Sequence, residues 1–282
     1  MQPARAKVCR PVYYGIRLCN RSRQCVQIIA AVTRAELLDR FSNEFWRSVV
    51  RLCASPDLKS VRGGGTGLLF RLSGEPFLVT ATHVLKDFEG QQIMAFIDDR
   101  EAAVSLGGQV IEVGDLPDVA VLHLDQVSLK RLNPDHFRSQ LDLDSTPLAR
   151  EDQYFIGGYP IDPNFCNASL TAWKAIPILC AVQLDSSGDH RDVFQLDLNK
   201  VEDVHGERAR LPASLAGMSG GPVFRLTAMG HVSIVGVVTS ESRESNIHKV
   251  HATRWSYVLG LIDNELGGIR GATRLLLPPK RL

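Results

Sequence analysis

From Ser48 onward the chain is a succession of short apolar runs, each stopped by turn residues, and this rhythm limits it to a mainly β architecture. One set of runs covers 48–53, 66–72, 76–80, 92–97, 108–113 and 118–124. Gly63-Gly64-Gly65, Gly74-Glu75-Pro76 and Pro117 punctuate it. A second set covers 152–158, 169–183, 192–198, 222–226 and 232–239. The polar stretch 125–150 reads as the connection between them. Two sets of short strands predict two antiparallel β-barrels. Helical spacing is confined to the flanks. Leu37, Leu38, Phe41, Phe45 and Trp46 share one face over 34–47, with Thr33 placed to cap it. Trp255, Val258, Leu259, Leu261 and Ile262 do the same over 255–265.

Composition excludes several classes. At 282 residues the chain has one large domain or two modest ones, and it needs no crosslinks to bury a core. The longest apolar run, Ala175 to Val182, contains a proline and falls far short of the roughly 18 residues of a membrane span. The net charge of +1 averages two unlike parts. Residues 1–34 carry seven bases and no acid, leaving 25 bases against 31 acids beyond them. The first 33 residues therefore read as a basic leader, either disordered or a targeting segment. No nucleic-acid-binding fold signature accompanies these bases, so no nucleic-acid partner is expected. Six cysteines form no Cys-x-x-Cys pair and no zinc spacing, and they read as free thiols. No metal or other cofactor is expected. The predicted compartment is the cytoplasm.

Three segments carry chemistry. Thr80-Ala81-Thr82-His83 follows the apolar strand Phe77-Leu78-Val79. Asp118 opens Asp118-Val119-Ala120-Val121-Leu122. Ser219 sits in Gly217-Met218-Ser219-Gly220-Gly221-Pro222. A serine hydroxyl needs a base within hydrogen-bond reach, and imidazole titrates near neutrality. A carboxylate behind the imidazole fixes its tautomer and stabilises the imidazolium. The N–H groups of Gly217 and Ser219 suit an oxyanion that develops beside Ser219. Gly-x-Ser-x-Gly also occurs in α/β-hydrolases, but their elbow runs strand–turn–helix, in the order serine, acid, histidine. Here strand residues follow Ser219, and the order is His83, Asp118, Ser219.

In these segments the chain resembles the chymotrypsin/trypsin-like serine peptidases, including their bacterial stress-protease (HtrA-like) branch. Gly65-Thr66-Gly67, Gly157-Gly158-Tyr159-Pro160 and Gly236-Val237-Val238-Thr239 add to the resemblance, which runs from about Ser48 to Leu266. It implies two six-stranded barrels with an active site in the cleft between them, flanked by the N-terminal and C-terminal helices. It implies His83 as general base, Asp118 as orienting acid, Ser219 as nucleophile, and Gly217 and Ser219 as the oxyanion hole. The expected division is a leader over 1–33, helix and first barrel over 34–130, second barrel and closing helix over 131–267, and a tail over 268–282.

Departures from the pattern sharpen the expectation. Met218 stands where digestive members carry an aspartate, and Leu215 where they carry a cysteine. Activation by a cut N-terminus is therefore not expected. Only 16 residues follow Leu266, too few for the peptide-binding (PDZ) domain of the stress-protease branch. Ala213 occupies the position of the acid that selects lysine or arginine, which predicts against cleavage after basic residues. Thr239, Ser240 and Glu241 form the expected wall strand for substrate. Substrates would be proteins or peptides, with room for an activating protein partner; the oligomeric state stays open. Two other readings fit the same residues: a catalytically weak peptide-binding module, and an esterase on the same barrels.

Overall fold

A computed structural model describes residues 12–16, 45–55, 62–97, 103–112, 117–161, 166–167, 174–175, 178–197, 201–203, 214–227, 231–244 and 247–266. Its strands run in chain order as β1 (Val12–Ile16), β2 (Val49–Ser55), β3 (Arg62–Leu72), β4 (Glu75–Thr80), β5 (Gln92–Phe96), β6 (Val104–Leu106), β7 (Gly108–Glu112) and β8 (Ala120–Leu124). Then follow β9 (Gln153–Gly158), β10 (Cys166–Asn167), β11 (Lys174–Ala175), β12 (Ile178–Ser187), β13 (Arg191–Asp197), β14 (Val201–Asp203), β15 (Pro222–Leu226), β16 (Val232–Glu244) and β17 (Ile247–Arg254). Three α-helices are described: α1 (Thr82–Lys86), α2 (Gln126–Leu129) and α3 (Trp255–Leu266).

The first half is a curled seven-stranded sheet in the order β6-β5-β2-β3-β4-β8-β7. Its two edge strands are successive parts of one segment. β6 pairs with β5, the chain bends at Gly107–Gly108, and β7 pairs with β8. The start of α2 pins the bend: Asp125 N–H donates to Gly107 O, and the Ser128 hydroxyl accepts from Gly107 N–H. The second half closes into a barrel. Six antiparallel strands run β13-β17-β16-β15-β9-β12, and a β12–β13 ladder joins the ends. A single closed barrel and a curled sheet thus stand where two six-stranded barrels were expected.

Alternation within the first sheet explains its long apolar runs. In β3, Leu68 and Phe70 face the cluster shared with the second half, while Leu69 faces the interior of the sheet. Phe77 and Val79 against Leu78 repeat this in β4, as do Val119 and Val121 against Ala120 and Leu122 at β8. Both faces are buried, so both parities must be apolar. The shared cluster also takes in Phe224, Ile234 and Val237 from the barrel and Trp255, Val258 and Ile262 from α3. Trp255 meets Phe70 edge-to-face at 5.1 Å. The connector is tied to the barrel by Arg225, which donates to Asp152 at 2.7 Å and to Asp144 at 3.2 Å.

Three expectations change. Residues 34–44 of the expected N-terminal helix lie outside the described residues, and Trp46–Ser48 is a 3-10 turn rather than α-helix. The leader contributes a strand: β1 lies parallel to β12 and antiparallel to β14. The last barrel strand, β17, falls in a stretch with no strand expectation, because it turns Ile247 outward and buries His248. Helix α3 matches its expected span within one residue at its C-terminus. No helix among the described residues is long and apolar enough to cross a membrane.

Candidate active site

His83 and Asp118 meet because of strand register. Thr80 pairs with Ala120 at the last rung of the β4–β8 ladder, so the residues just beyond that end emerge side by side. His83 is the second residue of α1, and Asp118 precedes β8. Asp118 grips the histidine twice. Its Oδ1 accepts from the His83 backbone N–H at 3.0 Å, and its Oδ2 lies 2.6 Å from His83 Nδ1. A carboxylate only accepts, so Nδ1 carries the proton and the neutral ring leaves Nε2 as the free base.

The electrostatics follow from this pair. The hydrogen bond to Asp118 holds the His83 pKa above its ordinary value, against the opposing pull of partial burial. Burial works to raise the Asp118 carboxyl, but hydrogen bonds from the His83 ring, the His83 N–H and the Thr82 N–H hold it below its ordinary value. The side chains stay partly open to solvent, at 48% for His83 and 24% for Asp118.

Ser219 lies in the turn that enters β15. Gly217 and Gly220 both have φ of +89°, a region open to glycine but strained for other residues. At Gly220 a Cβ would also run into the Thr66 carbonyl and the Thr80 hydroxyl. The turn is stitched to β16 by Gly220 N–H to Val238 O at 2.7 Å and Val238 N–H to Gly221 O at 2.8 Å. It is stitched to the first half by Thr66 N–H to Ser219 O at 2.8 Å. The Ser219 hydroxyl itself makes one long bond, donated to Thr239 O at 3.5 Å. It makes none to His83 in this state.

The peptide planes of the turn have a defined sense. Ala216 O accepts from Ile161 N–H at 2.6 Å, and Met218 O accepts from Gly221 N–H at 2.9 Å. In a trans peptide the N–H points opposite to the carbonyl. The N–H groups of Gly217 and Ser219 are therefore turned away from those two partners. Met218 is fully buried in the apolar core of the barrel with Ile156, Leu215 and Val223.

Among the expected wall residues, Thr239 is buried, Ser240 exposed and Glu241 in between. β15 pairs with β16 only as far as Val237, so from Thr239 onward one edge of β16 has no ladder partner among the described residues. Glu241 lies on β16 and is partly buried. Its carboxylate accepts from Ser214 Oγ at 2.6 Å and from Leu215 N–H at 3.1 Å, and it lies 3.1 Å from His248 Nδ1 on β17. Ala213 lies outside the described residues. Of the cysteines, Cys53 and Cys180 are free and buried, and burial pushes both thiols up to about 12.

Sequence reasoning missed Ser214 and His248, the partners of Glu241. It also missed what Thr66 holds, although Gly65-Thr66-Gly67 stood out as a motif. Each depends on contacts between residues that no local pattern links.

The chain belongs to the trypsin-like peptidase domain family, whose model matches residues 65–237. Its fold is similar to that of a solved structure described as the HtrA-type protease AlgW with tripeptide, with a TM-score of 0.51 and 16% sequence identity. The match covers 82% of this chain and 64% of that one, so it reaches less than two thirds of the neighbour's length. No curated protein matches the chain in sequence.

Proposed function

We propose that the chain is a serine endopeptidase that works through an acyl-enzyme, with His83 as base, Asp118 as orienting acid and Ser219 as nucleophile. The observation that carries this reading is the 2.6 Å bond between His83 Nδ1 and Asp118, which leaves Nε2 unprotonated for the serine. Ser219 Oγ adds to the substrate carbonyl while its proton passes to Nε2. Asp118 stabilises the imidazolium, and the N–H groups of Gly217 and Ser219 receive the oxyanion. The proton then goes to the leaving amine as the C–N bond breaks, and water releases the acyl group by the reverse path. No cofactor takes part.

The cleft would lie between the curled sheet, acting as the first barrel of residues 34–130, and the second barrel of 131–267. The free edge of β16 from Thr239 to Glu241 suits an extended peptide, which would add as a further strand. Ala213 at the pocket position argues against selection of lysine or arginine. With Met218 sealed in the core, no charge is available there to receive a cut N-terminus.

A second reading has one observation in its favour. The Ser219 hydroxyl bonds weakly to Thr239 O and not to His83, so this state suits a peptide-binding module that a peptide or protein partner activates. A fluorophosphonate probe on the wild type and on Ser219→Ala tests both. Labelling of wild type alone is expected. Labelling that appears only with added peptide or partner favours the gated form, and no labelling of Ser219 under any condition overturns the peptidase reading.

A further inference from the structure

We propose that Thr66 is the positioning residue of the oxyanion site, holding the turn so that the N–H groups of Gly217 and Ser219 face the reacting carbonyl. The role rests on the peptidase reading above. Thr66 lies in β3, in the half that carries His83, and is fully buried. All of its polar groups are engaged. Its hydroxyl donates to Gly217 O at 2.8 Å and accepts from Tyr159 N–H at 2.9 Å. Its N–H donates to Ser219 O at 2.8 Å, and its carbonyl accepts from Thr80 Oγ1 at 2.7 Å.

The consequence is local. Across residues 216–219 four successive carbonyls have partners, and Thr66 supplies two of them. Its side chain takes Gly217 O and its backbone takes Ser219 O, so it holds the peptide planes on either side of the 218–219 peptide, whose N–H is that of Ser219. The N–H of Tyr159 occupies the acceptor side of the hydroxyl, which leaves the proton directed at Gly217 O. Gly217 is a glycine at φ +89°, free to adopt other backbone angles once that restraint is lost. Without the hydroxyl, the buried Gly217 O would lose its donor. Rotation of the 217–218 peptide would relieve that, break the bond from Met218 N–H to Leu215 O, and leave the adjoining 218–219 peptide, which carries the Ser219 N–H, free to turn from the reacting carbonyl.

Thr66→Ser and Thr66→Ala test this, because the two variants differ only in the hydroxyl. Both are assayed with an activated ester and a fluorophosphonate, and kcat and KM are separated. Thr66→Ser is expected to stay near wild type. Thr66→Ala is expected to lose about 100-fold or more in kcat, the scale of one oxyanion donor, with KM little changed. The acid limb of the pH profile is expected to stay in place, since Thr66 makes no contact with the His83–Asp118 pair. If Thr66→Ala does not fold, Thr66→Val makes the same comparison at closer volume. Equal kcat for the serine and alanine variants, or a change confined to KM, would overturn the role of Thr66 and leave the peptidase reading standing. A wild type that reacts with neither reagent, with or without added peptide or partner, would overturn that reading, and this role with it.

Discussion

In the curled sheet, His83 and Asp118 are already joined at 2.6 Å; in the closed barrel, Ser219 has only a 3.5 Å bond to Thr239 O. The two halves fix their groups by different means. The first uses strand register and a carboxylate that grips both ring and backbone. The second fixes the backbone of the turn through its carbonyls and leaves the hydroxyl loosely held. In the proposed mechanism the base is thus set before substrate arrives, whereas the nucleophile has still to be oriented.

The largest expected effect breaks the comparison outright. His83→Ala removes the proposed base, and kcat should fall on the order of 10⁶-fold, as measured by turnover of an activated ester. The thermal midpoint should hardly move, because the ring is half exposed. Asp118→Asn separates the grip from the charge. A loss of about 10⁴-fold in kcat is expected, because an amide no longer enforces the Nδ1–H tautomer. The sign of the pH effect follows from the pair. Base catalysis needs neutral His83, and Asp118 raises its pKa, so activity rises with pH through a limb above the ordinary histidine value of 6.5. In Asp118→Asn that limb should move to lower pH; a limb that stays put would sever the link between the two residues.

Stability tests sharpen the contrast. Trp255→Ala empties the cluster shared by the halves and should cost about 3–5 kcal/mol in urea unfolding. The smallest effect is expected at Glu241. Glu241→Ala leaves Ser214 Oγ and Leu215 N–H without their acceptor, for a loss of about 1–3 kcal/mol. Fluorophosphonate labelling of this variant should persist; its loss would place Glu241 in the chemistry rather than in a supporting role.

Much of this was legible in the sequence. The strands of the first half stood out because both faces of β3, β4 and β8 are buried. The local pair could be read because His83 and Asp118 each sit at the end of a readable strand. Strand β17 was not legible, since burying His248 and exposing Ile247 inverts the usual alternation. The curl of the first sheet depends on one bent segment that pairs on two sides, which a linear pattern does not reveal. The grip on the turn joins residues 151 and 93 positions apart, from Thr66 to Gly217 and to Tyr159, and no local signal encodes it.

The carbonyl stitching of the serine turn would also order events during synthesis. The histidine–aspartate pair is built from β4, α1 and β8, and its parts are all present once residue 124 has left the ribosome. The turn waits for Val238, whose backbone holds Gly220 and Gly221 and which emerges well after Ser219 itself. In the proposed mechanism a nascent chain would thus carry an acid–base pair with no aligned nucleophile, and hydrolytic competence would arrive only as the barrel closes.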